Sequence, residues 1–227
     1  MAGVDELVTV SERLEQVGVV DAVFVGGSVV GLLLTDPLAP AVRHTYDVDV
    51  VLPTSRRSEY NRIEERLRAA GHTQPIEGPI CRWQIDGILV DLMPVHEGIL
   101  GFGNRWYKAL KDHSVERAVR LDRSIRIAPA TYLLAMKIEA FSNRGEGDFL
   151  LSRDVGDIVA VVDGRPEIVD EVLGAEDKLK EYISSAFRSY LLEEAFLSSL
   201  AGHLLPDEAS QQRAGIILER MSSIARI

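Results

Sequence analysis

The chain has 227 residues, 46% of them hydrophobic, and a formal net charge of −10. That is enough apolar material for one large core or two small ones, and the acidic balance excludes a general basic coat for nucleic acid, leaving only a local groove. A single cysteine, Cys81, excludes an internal disulfide and fits a reducing cytoplasm.

The first residues are acidic and lack the basic, then apolar, run of a signal peptide. An amphipathic helix is predicted over 5–16. The apolar stretch Val19 to Leu34 is too short for a membrane span and is broken by Asp21 and Gly26-Gly27-Ser28. It reads better as a strand over 21–25, a glycine turn and a buried helix. These features predict a cytoplasmic protein away from the membrane. A loop with Pro37 and Pro40 leads to the strand "DVDVVLP". A helix follows, capped at its start by Thr54 or Ser55 and ended by Gly71. "CRWQIDGILVDLMPV" predicts a hairpin turning at Asp86-Gly87, and a second hairpin is expected near Asp122. From Pro129 the pattern is helical: one helix through Lys137, another capped by Ser152, a short one near 168, a long one over 177–200 and a last one after Pro206. The expected architecture is α+β, a small mixed β-sheet flanked by helices over 1–128 and a C-terminal helical bundle over 129–227.

Three features carry chemistry. Gly26, Gly27 and Ser28 lie at a strand-to-helix junction, where backbone N–H groups can approach an anion. Asp47 and Asp49 are two apart on an apolar strand, so both carboxylates share one face and need a counter-charge. Asp91 interrupts a later apolar strand; alone, it reads better as an edge residue or as a partner of Arg82 across the hairpin. Together the three acids suit divalent cations, because hard cations take oxygen ligands. A phosphate-binding turn with such acids is what two-metal phosphoryl transfer requires.

"GGS", then "DVD", then a distant strand Asp resembles the nucleotidyltransferase superfamily with the DNA polymerase β-like fold. "RHTYDVDVVL" and "LLAMKIEAFSNRGEGDFLLSRDVGDI" are similar to one branch, the AbiEii/MenT-type toxin nucleotidyltransferases of bacterial toxin–antitoxin systems. The resemblance implies transfer of a nucleotide from an NTP such as ATP, with two Mg2+ ions, or Mn2+ in their place, on Asp47, Asp49 and Asp91. It also implies nucleotide contacts from Gly26, Gly27, Ser28, Arg43, Thr45 and Lys137, and a role for Asp157 in positioning Lys137. Lys137 lies in an apolar helical stripe, from which its ammonium is expected to leave the core towards phosphates, or to snorkel at the stripe's edge. Asp154 and Asp157 share a helix face, with Asp157 deeper in the apolar run. The turn departs from the branch in being followed by Val29-Val30-Gly31.

The acceptor stays open between an RNA 3′ end such as tRNA, a protein hydroxyl and an aminoglycoside-type small molecule. Resemblance favours RNA. A basic run, with Arg105, Lys108, Lys111, Arg117, Arg120, Arg123 and Arg126 beside Trp106 and Tyr107, suits an RNA backbone and a stacked base, or is simply a solvated face. An antitoxin is a candidate partner for the long C-terminal helices. A nucleotide-binding regulatory protein without catalysis is the alternative of a different class.

Overall fold

The computed structural model of the protein describes residues 3–145 and 147–227. In chain order the first elements are α1 (Val4–Gln16), β1 (Val23–Val25), α2 (Val30–Leu33), β2 (Asp47–Leu52), α3 (Arg57–Ala69), β3 (Arg82–Ile85), β4 (Ile88–Pro94), α4 (Leu110–His113), β5 (Val115–Arg120) and β6 (Arg123–Ile127). The helices α5 (Ala130–Arg144), α6 (Arg153–Gly164), α7 (Ile168–Leu173), α8 (Asp177–Leu192), α9 (Glu194–Ser199), α10 (Glu208–Gln212) and α11 (Ala214–Ala225) follow. The architecture is α+β, a mixed sheet with flanking helices and then a helical bundle. Two compact units result: Met1–Val29 with Arg43–Pro129, and Val30–Val42 with Ala130–Ile227.

In the first unit six strands form one sheet in the order β3-β4-β2-β1-β6-β5. The β2–β4 and β1–β6 pairs are parallel and the others antiparallel. The β3–β4 hairpin closes as its sequence predicts. Asp86 at φ 48° and Gly87 at φ 84° are both left-handed, as a two-residue turn of the I′ type demands. One face of the sheet is sealed: Phe24, Val48, Val50, Trp83, Val90 and Leu92 are buried there, each large side chain worth about 1.5–3 kcal/mol. Tyr60 of α3 donates its hydroxyl to the Leu92 carbonyl at 2.9 Å.

The start of α3 differs from expectation. Arg56, not Thr54 or Ser55, is the capping residue. The carboxylate of Glu59 reaches back to accept from the N–H groups of Ser55 and Arg56 at 3.1 and 3.3 Å, so an acid inside the first turn does the work assigned to a hydroxyl before it.

In the second unit α5 packs on α6 and α8, and α8 packs on α11. Ser152 caps α6, its Oγ accepting from Val155 N–H. The long helix expected over 177–200 ends early, at Leu192. Glu193 turns extended and α9 starts afresh, which leaves Leu192 at the surface and buries Phe196 beside Tyr190 and Phe149, each 5.6 Å away between ring centres. The 30–42 segment is bolted to this unit. The Thr35 and Asp36 N–H groups donate to the Gly164 carbonyl, Arg165 donates to that of Leu33, and Arg213 bridges Asp36 and Asp163. Among the described residues no helix is long and apolar enough to cross a membrane.

Candidate functional site

The face of the sheet opposite the sealed one carries the acids, and strand register explains why they meet. Asp49 of β2 is the direct partner of Asp91 on parallel β4, of Val25 on β1, and Asp91 in turn is the partner of Arg82 on β3. Directly paired residues point to the same face. Arg82, Asp91 and Asp49 therefore form one rung across three strands, with Asp47 on the same face two residues earlier along β2.

Beyond Val25 the chain turns sharply at Gly26, φ +72°, and enters a 3-10 turn over Gly27–Val29. The carboxylate of Asp49 lies against the Gly26 Cα, where any Cβ would overlap it. Two independent requirements thus select glycine here: a left-handed backbone and the space that Asp49 occupies. Gly27 and Ser28 are half-buried, and Ser28 Oγ donates to the Val25 carbonyl at 3.2 Å, which closes the turn.

Arg82 is the residue that reading the sequence undervalued. Its Nε and Nη2 grip Asp91 at 2.8 and 2.7 Å, and Nη2 also reaches Asp47 at 2.7 Å. The bond to Asp91, more than the nearby charges, raises the guanidinium's pKa further, so it stays protonated throughout. Cys81 beside it is buried; burial first, and then the Asp91 charge, push its thiol up to about 12, which makes it inert. The Arg82–Asp91 contact was readable, because both residues lie equally far from the Asp86-Gly87 turn. The reach to Asp47 needed β2 to lie beside β4.

The donor chemistry suits the magnesium that the resemblance implies. Three hard carboxylates emerge on one face, and two of them already attract a cation, the guanidinium of Arg82. Asp47 and Asp91 are drawn to Arg82 while Asp49 leans on Gly26. Among the described residues no three His, Cys, Asp or Glu side chains are gathered closely enough to hold a metal ion.

Lys137, Asp154 and Asp157 form a second cluster, inside the helical unit. The Lys137 ammonium is 2.6 Å from Asp157 and 3.1 Å from Asp154, and all three residues are buried. Arg144, on the surface, donates to Asp154 as well. Burial raises the Asp154 carboxyl, but Lys137 and then Arg144 outweigh it, and its pKa lies below the ordinary carboxylate value. The ammonium is held between two carboxylates and does not snorkel to the surface.

The remaining predicted residues are scattered in exposure. Thr45 is buried and Arg43 exposed. Trp106 is buried, so its ring is not offered to a base. Of the seven residues in the basic run, Arg120 pairs with Asp5, Arg123 with Glu15, and Arg126 donates to Ser114, which ties three of them to the protein itself.

On the acid face one rung further along, Val51 and Val23 floor a cavity of about 170 Å3 walled by Tyr107, Leu110, Lys111 and Arg126. Its walls carry more basic than acidic groups. A scan of the chain against protein-family models finds no match, and a search of the curated proteins finds no significant relative.

Proposed function

We propose that this protein is a Mg2+-dependent nucleotidyltransferase, which transfers a nucleotide from an NTP to an acceptor hydroxyl and releases pyrophosphate. The observation that carries the reading is the rung of acids: Asp49 and Asp91 side by side, Asp47 on the same face, and the glycine turn directly against Asp49. Three carboxylates on one face of adjacent strands repel one another unless cations balance them.

In this reading the acceptor oxygen attacks the α-phosphorus as the bond to the bridging oxygen of pyrophosphate breaks. Asp47, Asp49 and Asp91 would hold the ions, whose charge would lower the pKa of the attacking hydroxyl and offset the charge leaving on pyrophosphate. The N–H groups of the turn at Gly26–Ser28 orient the triphosphate. Register keeps the acids in fixed relation, so little reorganisation is left for the moment of reaction. Lys137 and Asp157 enter this reading through the family resemblance alone.

The acceptor that the resemblance favours is an RNA 3′ end, in a protein acting as a toxin. A small hydroxylated molecule is the second acceptor that the resemblance leaves open. The protein is incubated with Mg2+, each labelled NTP, and either total RNA or a small-molecule extract of cells. Label on RNA supports the first acceptor and label on a small molecule the second. No transfer to any acceptor together with no NTP binding refutes the proposal, as does full activity in Asp49→Ala.

A further inference from the structure

Beyond which residues would hold a cation, the geometry points to what holds the acids when no cation is bound. We infer that Arg82 is a resident counter-cation that competes with the divalent ion for Asp47 and Asp91 and so sets the concentration at which that ion binds. This inference rests on the nucleotidyltransferase reading for the identity of the ion, but its own basis is the guanidinium.

One nitrogen, Nη2, lies 2.7 Å from an oxygen of Asp47 and 2.7 Å from an oxygen of Asp91. It therefore fills the gap between the two carboxylates through which both would reach a shared ion. A guanidinium is planar and permanently charged, so no physiological pH removes it. An ion ligated by both carboxylates must displace Nη2 from at least one of them, because two cations in the same gap repel strongly.

Two further features distinguish this contact from a sealed structural pair. Asp47 is 32% and Arg82 22% open to water, with Asp91 at 11% behind them, so a hydrated ion can reach the contact from the Asp47 side. Gly78, at φ +119°, lies beside the aliphatic stem of Arg82; a Cβ there would stand 3.2 Å from Arg82 Cδ. The loop before β3 leaves the stem room beside it. Arg82 is a positioning residue in this account: it keeps Asp47 and Asp91 from repelling each other and releases them to the ion.

The test measures binding of Mn2+, a stand-in for Mg2+, to the full chain by the loss of the free-ion paramagnetic resonance signal. Wild type is compared with Arg82→Gln and Arg82→Lys, with melting temperature recorded in chelator and in Mn2+. The expected result is at least tenfold tighter Mn2+ binding in Arg82→Gln, with Arg82→Lys between it and wild type. The Gln variant is also expected to melt below wild type in chelator and to regain more on adding Mn2+. If the Gln variant does not fold, Arg82→Lys decides, since it keeps the charge but loses the two-pronged grip. Equal or weaker Mn2+ binding in the variants overturns the inference and leaves the nucleotidyltransferase reading standing. No Mn2+ binding by wild type or by either variant overturns both.

Discussion

Replacing Lys137 by methionine keeps the length of the side chain and removes its charge, which isolates the electrostatic role of the buried cluster. The ammonium serves two carboxylates at 2.6 and 3.1 Å, and the Asp157 side chain is only 4% exposed. Removing one partner of a buried ion pair costs about 3–5 kcal/mol, because a charge is left buried without the group that balanced it. Arg144 still serves Asp154 in the variant, although its own side chain lies largely in water and that contact is screened. The expected loss is therefore near the lower end, about 3 kcal/mol, against a total stability of about 5–15 kcal/mol. The sign of its pH dependence follows from Asp154, whose carboxyl is held low in the folded protein. Stability from that group is present above its unfolded value, about 3.9, and is lost as pH falls through the folded value. In Lys137→Met the principal opposing charge is gone and only the screened Arg144 is left against burial, so Asp154 accepts a proton more readily. The deficit against wild type should be largest at pH 7 and shrink as pH falls towards the carboxylate range. Urea unfolding at pH 7 and pH 5 measures it, with Asp157→Asn added to close the cycle. The double variant should be more stable than Lys137→Met by about 1 kcal/mol or more. A single variant within about 1 kcal/mol of wild type at pH 7, on a scale where buried pairs cost several, refutes the reasoning.

Gly26→Ala meets both a positive φ and the Asp49 carboxylate, and should cost about 1–3 kcal/mol by thermal or urea unfolding; wild-type stability would show that the turn relaxes freely. Arg213→Met leaves Asp163, which burial pushes up despite Arg213, without its chief partner. A raised pKa contributes stability below the unfolded value that is lost as pH rises through the folded one. The variant should thus be weaker by about 3 kcal/mol at pH 7, recover partly on acidification, and become sensitive to limited proteolysis within 30–42; an unchanged cleavage pattern argues against the bolt. Cys81, with its thiol pushed up to about 12, should react with a disulfide reagent only after unfolding. Rapid labelling of the native protein at pH 8 would contradict its burial.

The hairpin turning at Asp86-Gly87 was legible because turn chemistry and alternation are local, and its register even implied that Arg82 faces Asp91. The face shared by Asp47 and Asp49 followed from the two-residue period of a strand. What was not legible needed a neighbour distant in sequence. That β4 lies parallel to β2 decides which acids share a rung, and nothing near Asp47 or Asp91 encodes it. The same holds for Glu193: the helical stripe runs on through Leu192, yet the aromatic cluster around Phe149 and Tyr190 captures Phe196 and breaks the helix first. Trp106 beside Lys108 and Arg105 looks like a stacking platform by composition, and only the packing reveals it as core. Arg120 and Arg123 resemble a nucleic-acid surface until α1 supplies Asp5 and Glu15.

One physical rule separates the acid clusters of this protein. Asp47 with Asp91, Asp154 with Asp157, and Asp36 with Asp163 are each balanced by a basic side chain, as like charges brought together on apolar elements must be. A carboxylate pair on an apolar background therefore does not by itself announce a metal; a lysine or an arginine answers the same need. What differs is access. The carboxylates of Asp157 and Asp163 are closed off, and exchanging their partners would mean opening a helix interface. Asp47 stands at the start of its strand, a third open to water, and its partner Arg82 reaches it with one nitrogen. Of the three clusters, the one on the sheet holds the most exposed carboxylate, Asp47, which is the access that the proposed exchange of one cation for another requires.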